Sequence, residues 1–162
     1  SIAAMFILSG WLSRRGGTQD MNAYSGMQRV TPVLAGLWLV SGLASIALPG
    51  LSGFVPEYLV LMGTWQVNIV LAVFALLGVI IAAVYVLMSY QRVFTGGPFA
   101  GKDALPDLNT REKSVMAPLL IAMVVLGIWS APLVSALTPI GEDLALGTAD
   151  TAATAVLEGS SN

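Results

Sequence analysis

The stretch at residues 49–57, PGLSGFVPE, decides how the surrounding chain can fold. Its Glu57 is the one formally charged residue between Arg29 and Arg92. Four residues of this stretch interrupt regular helix: Pro49, Gly50, Gly53 and Pro56. A charged side chain at the centre of a membrane helix costs about 2.5–3.5 kcal/mol on insertion scales. The pattern therefore predicts a helix that is broken where a carboxyl group enters an apolar environment.

The overall composition is that of a membrane protein. Hydrophobic residues make up 56% of the chain and charged residues 10%, whereas an ordinary soluble domain has about 25% charged residues. The mean hydropathy is +0.82. This composition excludes a typical soluble domain. It predicts an all-α, polytopic transmembrane helix bundle with one discontinuous membrane helix.

Several kinds of chemistry are excluded by what the chain lacks. With no cysteine and no histidine, it has no disulfide, no thiolate metal site and no histidine-based triad. The net charge of −2 and the absence of a basic patch give no reason to expect a nucleic-acid partner. The sequence has no glycine-rich phosphate loop. We therefore expect no cofactor and no metal in this chain, and any redox chemistry in partner chains.

Four apolar segments are predicted within residues 1–140. Residues 1–12 are too few to span a membrane, and they lack the basic N-terminal region of a signal peptide. We therefore expect them to be the end of a span, and the sequence to be the C-terminal part of a longer chain. Residues 30–64 form the discontinuous span, which Thr31 and Pro32 are expected to start as N-cap and first turn. Spans follow at 66–90 and 115–137. The tail at 141–162 is acidic and contains no lysine or arginine.

Helix starts and loop charges refine this arrangement. Asn109 followed three residues later by Glu112 has the form of a helix cap. Basic residues cluster in the loops at 14–29 and 92–113, which the positive-inside rule places in the cytoplasm, with the C-terminal tail outside. That alternation requires residues 30–64 to cross once, so the break is expected inside the membrane.

Glu57 is the candidate functional residue. Pro56 suits the first turn of a second half-helix, which places Glu57 near its positive end, where the helix dipole favours the ionised carboxylate. Desolvation favours the protonated acid instead. A group under these opposed effects is suited to take up and release protons, and we predict that Glu57 is a proton-relay carboxylate. The alternative is a glutamate that caps a half-helix or reaches the headgroups at a span end.

Three stretches carry a family resemblance: ALPGLSGFVPEYLVLMG at 47–63, VYVLMSYQRVFTG at 84–96 and DLNTREKSVMAPLLIAMVVLGIW at 107–129. In this order and spacing they resemble the C-terminal part of an antiporter-like membrane subunit of respiratory complex I, of the M (mitochondrial ND-four) type. The likeness covers residues 1–140. The family's acid in the discontinuous helix falls on Glu57, where the related L and N types usually have lysine. Tyr58 replaces the phenylalanine often found after that acid.

The resemblance implies a role and partners. It implies a proton-translocating subunit of an inner-membrane NADH:quinone oxidoreductase, surrounded by the lipid bilayer and other complex I membrane subunits, especially neighbouring antiporter-like ones. NAD, FMN, iron–sulfur clusters and quinone are implied in partner subunits, and none in this chain. Enzymatic activity would thus belong to the whole complex.

Other functions share parts of this pattern. The same motif occurs in subunits of multisubunit cation/proton antiporters and of membrane-bound hydrogenases. From another class, a structural membrane protein without an ion relay would need Glu57 only as a helix cap. A stand-alone enzyme is the weakest interpretation, because the sequence offers no constellation of nucleophile, base or metal ligands.

Overall fold

The computed structural model describes residues 1–97, 105–139 and 141, and these residues contain helices, turns and loops but no strand. The chain divides into two compact units, Ser1–Ile128 and Trp129–Asn162. The helices of the first unit are α1 Ile2–Gly16, α2 Met27–Val30, α3 Pro32–Ser45, α4 Phe54–Val67, α5 Ile69–Phe94 and α6 Thr110–Ile128, with a 3₁₀ turn at Met21–Ala23. The second unit contains α7, Ala131–Pro139. The predicted all-α class is confirmed.

Helix α3 lies at the centre of the first unit and contacts α1, α2 and α5. Its Trp38 packs against Phe94 and Tyr90 of α5, with ring centroids 5.6 and 6.0 Å apart. The indole Nε1–H of Trp38 also donates to the hydroxyl of Ser9 on α1 across 3.2 Å. One aromatic side chain therefore joins three helices.

Helix α5 has the properties of a membrane span. Its 26 residues, at about 1.5 Å per residue, exceed the roughly 30 Å of a bilayer core. Within the described residues it is the one helix that is long and apolar enough by itself to cross a membrane. Asn68 caps its start, because its Oδ1 accepts from the backbone N–H groups of Val70 and Leu71. Most of its apolar side chains are exposed, as expected for a surface that faces lipid or other protein.

The start of α3 differs from the expectation in one respect. Pro32 is its first residue, as the sequence predicts, but the Thr31 side chain does not cap it. The Thr31 hydroxyl donates instead to the carbonyl of Met27, 3.1 Å away. The cap comes from Asp107, whose carboxylate accepts from the backbone N–H groups of Val33 and Leu34 at 2.9 and 3.2 Å. Thr31 is also the C-cap of α2, and its backbone N–H and hydroxyl both donate to the carbonyl of Met27.

Helix α6 begins with part of the predicted cap. The Glu112 carboxylate reaches back to the Asn109 backbone N–H, 2.8 Å away, which is the reciprocal half of a capping box. The helix ends at Ile128, and Pro132 lies in the first turn of α7, where proline is tolerated. Apart from Gly141, the predicted tail at 141–162 lies outside the described residues, as does Lys102 of the predicted basic loop.

Candidate functional site

The segment between α3 and α4, residues 46–53, is a series of tight turns. Ala47 has φ 56° and Gly50 has φ 90°, both in the left-handed region that favours glycine. Three backbone hydrogen bonds of 3.1 Å close successive turns, from the N–H groups of Leu48, Leu51 and Phe54 to the carbonyls of Leu43, Leu48 and Leu51. These bonds give the segment a defined turn structure between α3 and α4.

Gly53 allows the two half-helices to approach each other. A Cβ atom at this position would collide with the carbonyl oxygen of Ala44 and lie 3.4 Å from the Cα of Ala47. Since the colliding atom belongs to the backbone, a side chain at residue 53 would push the start of α4 away from the end of α3. Gly53 therefore fixes where α4 begins.

Glu57 lies in the first turn of α4. Its backbone N–H donates to the carbonyl of Gly53 across 3.4 Å, which is the first hydrogen bond of the helix. The neighbouring rings of Phe54 and Tyr58 stack with centroids 5.8 Å apart. The helix dipole at this end favours negative charge on the Glu57 carboxyl group.

A cavity of about 230 Å³ adjoins Glu57 between α4 and α5. Its lining is apolar apart from Glu57: Pro56, Val60, Leu61, Ala75 and Val79. One carboxylate oxygen, Oε2, is buried and has no hydrogen-bond partner among the described residues. A buried acceptor without a partner costs about 1–3 kcal/mol. The wall of the cavity is apolar, and the buried oxygen is not exposed to it.

The described residues offer Glu57 no charged partner. In the described part of the chain, the one ion pair joins Arg15 and Glu112, so no cation neutralises Glu57. Residues 1–97, 105–139 and 141 also hold no cluster of three acidic, histidine or cysteine side chains that could bind a metal.

A second polar cluster joins α1, α3 and α6 at the other end of α3. Glu112 accepts from the guanidinium of Arg15, the last-turn arginine of α1, and from the Asn109 backbone N–H. Burial opposes ionisation of Glu112, but these two hydrogen bonds outweigh it and hold the pKa of its carboxyl below the usual range. Asp107, two residues before Asn109, caps α3. Asp107 thus caps the start of α3, and Glu112 connects the start of α6 to the end of α1.

The five residues singled out from the sequence lie together. Pro49 and Gly50 form the turn, Gly53 precedes α4, and Pro56 and Glu57 line the cavity. The roles assigned to them, including the proton relay, stay predictions. Sequence reasoning missed Asp107 and the close approach of Gly127 of α6 to the break. A glycine near the end of an apolar helix was the available signal for Gly127, but its partner could not be read from the chain.

Comparison with known proteins identifies what this site resembles. Residues 1–82, which include the break and Glu57, match the transmembrane family described as NADH:quinone oxidoreductase/Mrp antiporter. A chain of respiratory complex I from Thermus thermophilus with bound NADH has a similar structure. Its TM-score is 0.78 and its sequence identity 34%, over 84% of this chain and 28% of that one.

Curated relatives agree with this match. NADH-quinone oxidoreductase subunit M of Mycobacterium tuberculosis is 40% identical over 143 residues, which are 88% of this chain and 26% of the relative. The subunit M of Rhodobacter capsulatus is 38% identical over 78% of this chain and 25% of its own length. The subunit M of Pseudomonas aeruginosa is 36% identical over 82% of this chain and 26% of its own length. The resemblance to the M type is confirmed. The chain spans about a quarter of the length of these relatives.

Proposed function

Because the chain belongs to the NADH:quinone oxidoreductase/Mrp antiporter transmembrane family, we propose that it is part of a proton-translocating M-type subunit of an NADH:quinone oxidoreductase. The observation that carries this proposal is Glu57: a buried carboxylate oxygen without a partner, beside a cavity and a helix break. Electron transfer in other subunits would drive proton movement through this group. The family is a transmembrane one, so the chain is a membrane protein.

In the proposed mechanism Glu57 is one station of a longer proton path. In this proposal a proton reaches the buried Oε2 atom from a group or water molecule that the rest of the complex brings within hydrogen-bond distance. Since no cation of the described residues pairs with Glu57, its charged partner would come from neighbouring parts of the complex.

The surroundings of the chain follow from the same proposal. Neighbouring antiporter-like and other membrane subunits of the complex would pack against it. NAD, FMN, iron–sulfur clusters and quinone would bind in partner subunits rather than here. The basic loops at 14–29 and 92–113 would face the cytoplasm, and the C-terminal tail the opposite side. These assignments rest on family membership and on the charge distribution.

A cation/proton antiporter subunit is the second candidate, because the family description includes Mrp antiporters. The relatives reported above, each an NADH-quinone oxidoreductase subunit M, favour the first candidate. Both candidates need a proton-exchanging group, and both assign it to Glu57.

The test is proton transport by the assembled full-length complex in membrane vesicles. Glu57→Gln keeps the shape of the side chain but cannot ionise, so we expect proton transport driven by NADH to fall at least about tenfold, since proton transfer by a positioned group contributes about 10²–10⁴-fold. Glu112→Gln makes the same chemical change outside the cavity and serves as the matched control. Normal proton transport by assembled Glu57→Gln complex would exclude the proposal.

A further inference from the structure

Gly127, in the last turn of α6, lies against the backbone of the helix break. A Cβ atom at this position would lie 2.5 Å from both the Cα and the carbonyl carbon of Leu51, and closer still to the carbonyl oxygen of Gly50. Real Cβ atoms essentially never approach other heavy atoms so closely. Since all three atoms belong to the backbone, no rotation of a side chain could relieve the collision. Only glycine fits here.

The contact differs from that of other helical glycines in the chain. A Cβ at Gly63 of α4 or at Gly78 of α5 would have nothing within 4 Å. At Gly42 of α3 it would meet a side-chain methyl group of Val86 at 2.9 Å, which can move. Gly127 is thus packed against backbone rather than against a side chain, and that backbone belongs to the break itself.

Backbone hydrogen bonds connect this contact to Glu57. The carbonyl of Leu51 accepts from the N–H of Phe54, the first residue of α4, across 3.1 Å. The carbonyl of Gly53 accepts in turn from the N–H of Glu57. A displacement of Leu51 therefore moves the first turn of α4 and the carboxyl group that the turn carries.

The break is contacted on two sides, whereas Leu48, Pro49 and Gly50 are exposed. On the α3 side, Gly53 already lies so close to the carbonyl of Ala44 that a Cβ would not fit. Leu51 itself packs against the buried core of the first unit. The break is therefore enclosed by α3 on one side and by the last turn of α6 on another.

We propose that Gly127 is a positioning residue for Glu57. Because glycine has no side chain, α6 packs directly against the backbone of Leu51 and so sets the position of the first turn of α4. This inference rests on the proposed function of Glu57. It assigns α6 a role that the local sequence around Glu57 does not indicate. It also explains why a glycine, which favours helix less than alanine does, occupies the last turn of an apolar helix.

The experiment compares Gly127→Ala with Gly63→Ala and Gly78→Ala in the assembled complex. We expect NADH-driven proton transport to fall about tenfold in Gly127→Ala, because a misplacement of about 1 Å can lower a rate up to 10²-fold. We also expect its pH profile to shift, since the surroundings of Glu57 change. The two control variants should keep the wild-type rate and profile. If Glu57→Gln itself lowers proton transport, an unchanged rate in Gly127→Ala, or a lower rate with an unshifted pH profile, would overturn the inference.

Hydrogen–deuterium exchange of the peptide covering residues 46–57 separates this inference from the proposed function. It reports the geometry of the break without using Glu57. Faster exchange in Gly127→Ala than in Gly63→Ala supports the positioning of the break, even if Glu57→Gln transports protons normally and the proposed function fails. Equal exchange in the two variants contradicts the inference while leaving the function of Glu57 standing.

A further variant covers the case in which Gly127→Ala complex does not assemble. Ile128 is exposed at the end of α6, so Ile128→Gly removes no buried contact and adds no atom, but it loosens the turn that carries Gly127. We expect the same shift of the pH profile and faster exchange at 46–57. A wild-type profile and wild-type exchange in Ile128→Gly would overturn the inference.

Discussion

The backbone N–H of Glu57 donates to the carbonyl of Gly53, the residue that ends the helix break. This bond joins the candidate proton carrier directly to the turn between α3 and α4. The position of the carboxyl group therefore depends on backbone contacts at the break, which involve α3 on one side and α6 on another. A substitution that moves the break is expected to act on Glu57 without touching it.

The first prediction concerns Gly53. In Gly53→Ala the new methyl group collides with the Ala44 carbonyl, so the break must open or α4 must shift. We expect a loss of about 1–3 kcal/mol of stability, the usual cost of overpacking, seen as a lower melting temperature of the complex. Gly36→Ala is the control, because a Cβ there has open space and alanine favours helix. Equal melting temperatures for the two variants would show that the break tolerates a side chain at residue 53.

The second prediction concerns the cap of α3. Asp107→Ala removes the acceptor for the backbone N–H groups of Val33 and Leu34. Loss of such a cap costs about 0.5–2 kcal/mol. Hydrogen exchange at the start of α3 should accelerate, whereas Asp20→Ala, which uncaps only the short 3₁₀ turn, should leave it unchanged. Unchanged exchange at Val33 and Leu34 in Asp107→Ala would contradict the assignment of the cap.

The third prediction concerns pH. The pKa of Glu112 is lowered in the folded protein, so its ionised form stabilises the fold at pH values above the unfolded pKa of about 4.3. That contribution is lost as the pH falls through the lower, folded pKa. The difference in melting temperature between wild type and Glu112→Gln should therefore be constant near neutral pH and shrink below about pH 4. A difference in melting temperature that grows on acidification would show that the pKa of Glu112 is not lowered in the folded protein.

The sequence predicted those features that depend on neighbouring residues in the chain. Pro49, Gly50, Gly53 and Pro56 signal an interrupted helix because each acts on its own backbone. Glu57 is conspicuous because it is the one charge in a long apolar region. The fold class followed from composition, since so few charges cannot cover a soluble surface.

The features that sequence reasoning missed depend on residues distant in the chain. Asp107 caps a helix that starts 75 residues earlier at Pro32, and a carboxylate in a polar loop gives no indication of that partner. Thr31 has the residue type of an N-cap, but the end of α2 competes for its hydroxyl. Gly127 contacts the break only after α6 has packed. Such pairings arise from tertiary structure, so a local pattern does not reveal them.

The measurement that tests the central claim most directly is infrared difference spectroscopy of the assembled complex. The spectrum of the resting complex is subtracted from the spectrum of the complex during NADH turnover. If Glu57 gains and loses a proton during turnover, the difference spectrum contains a band from a protonated carboxyl group. We predict that this band disappears in Glu57→Gln and persists in Glu112→Gln. Identical carboxyl bands in wild type and Glu57→Gln would contradict the proposal that Glu57 carries protons.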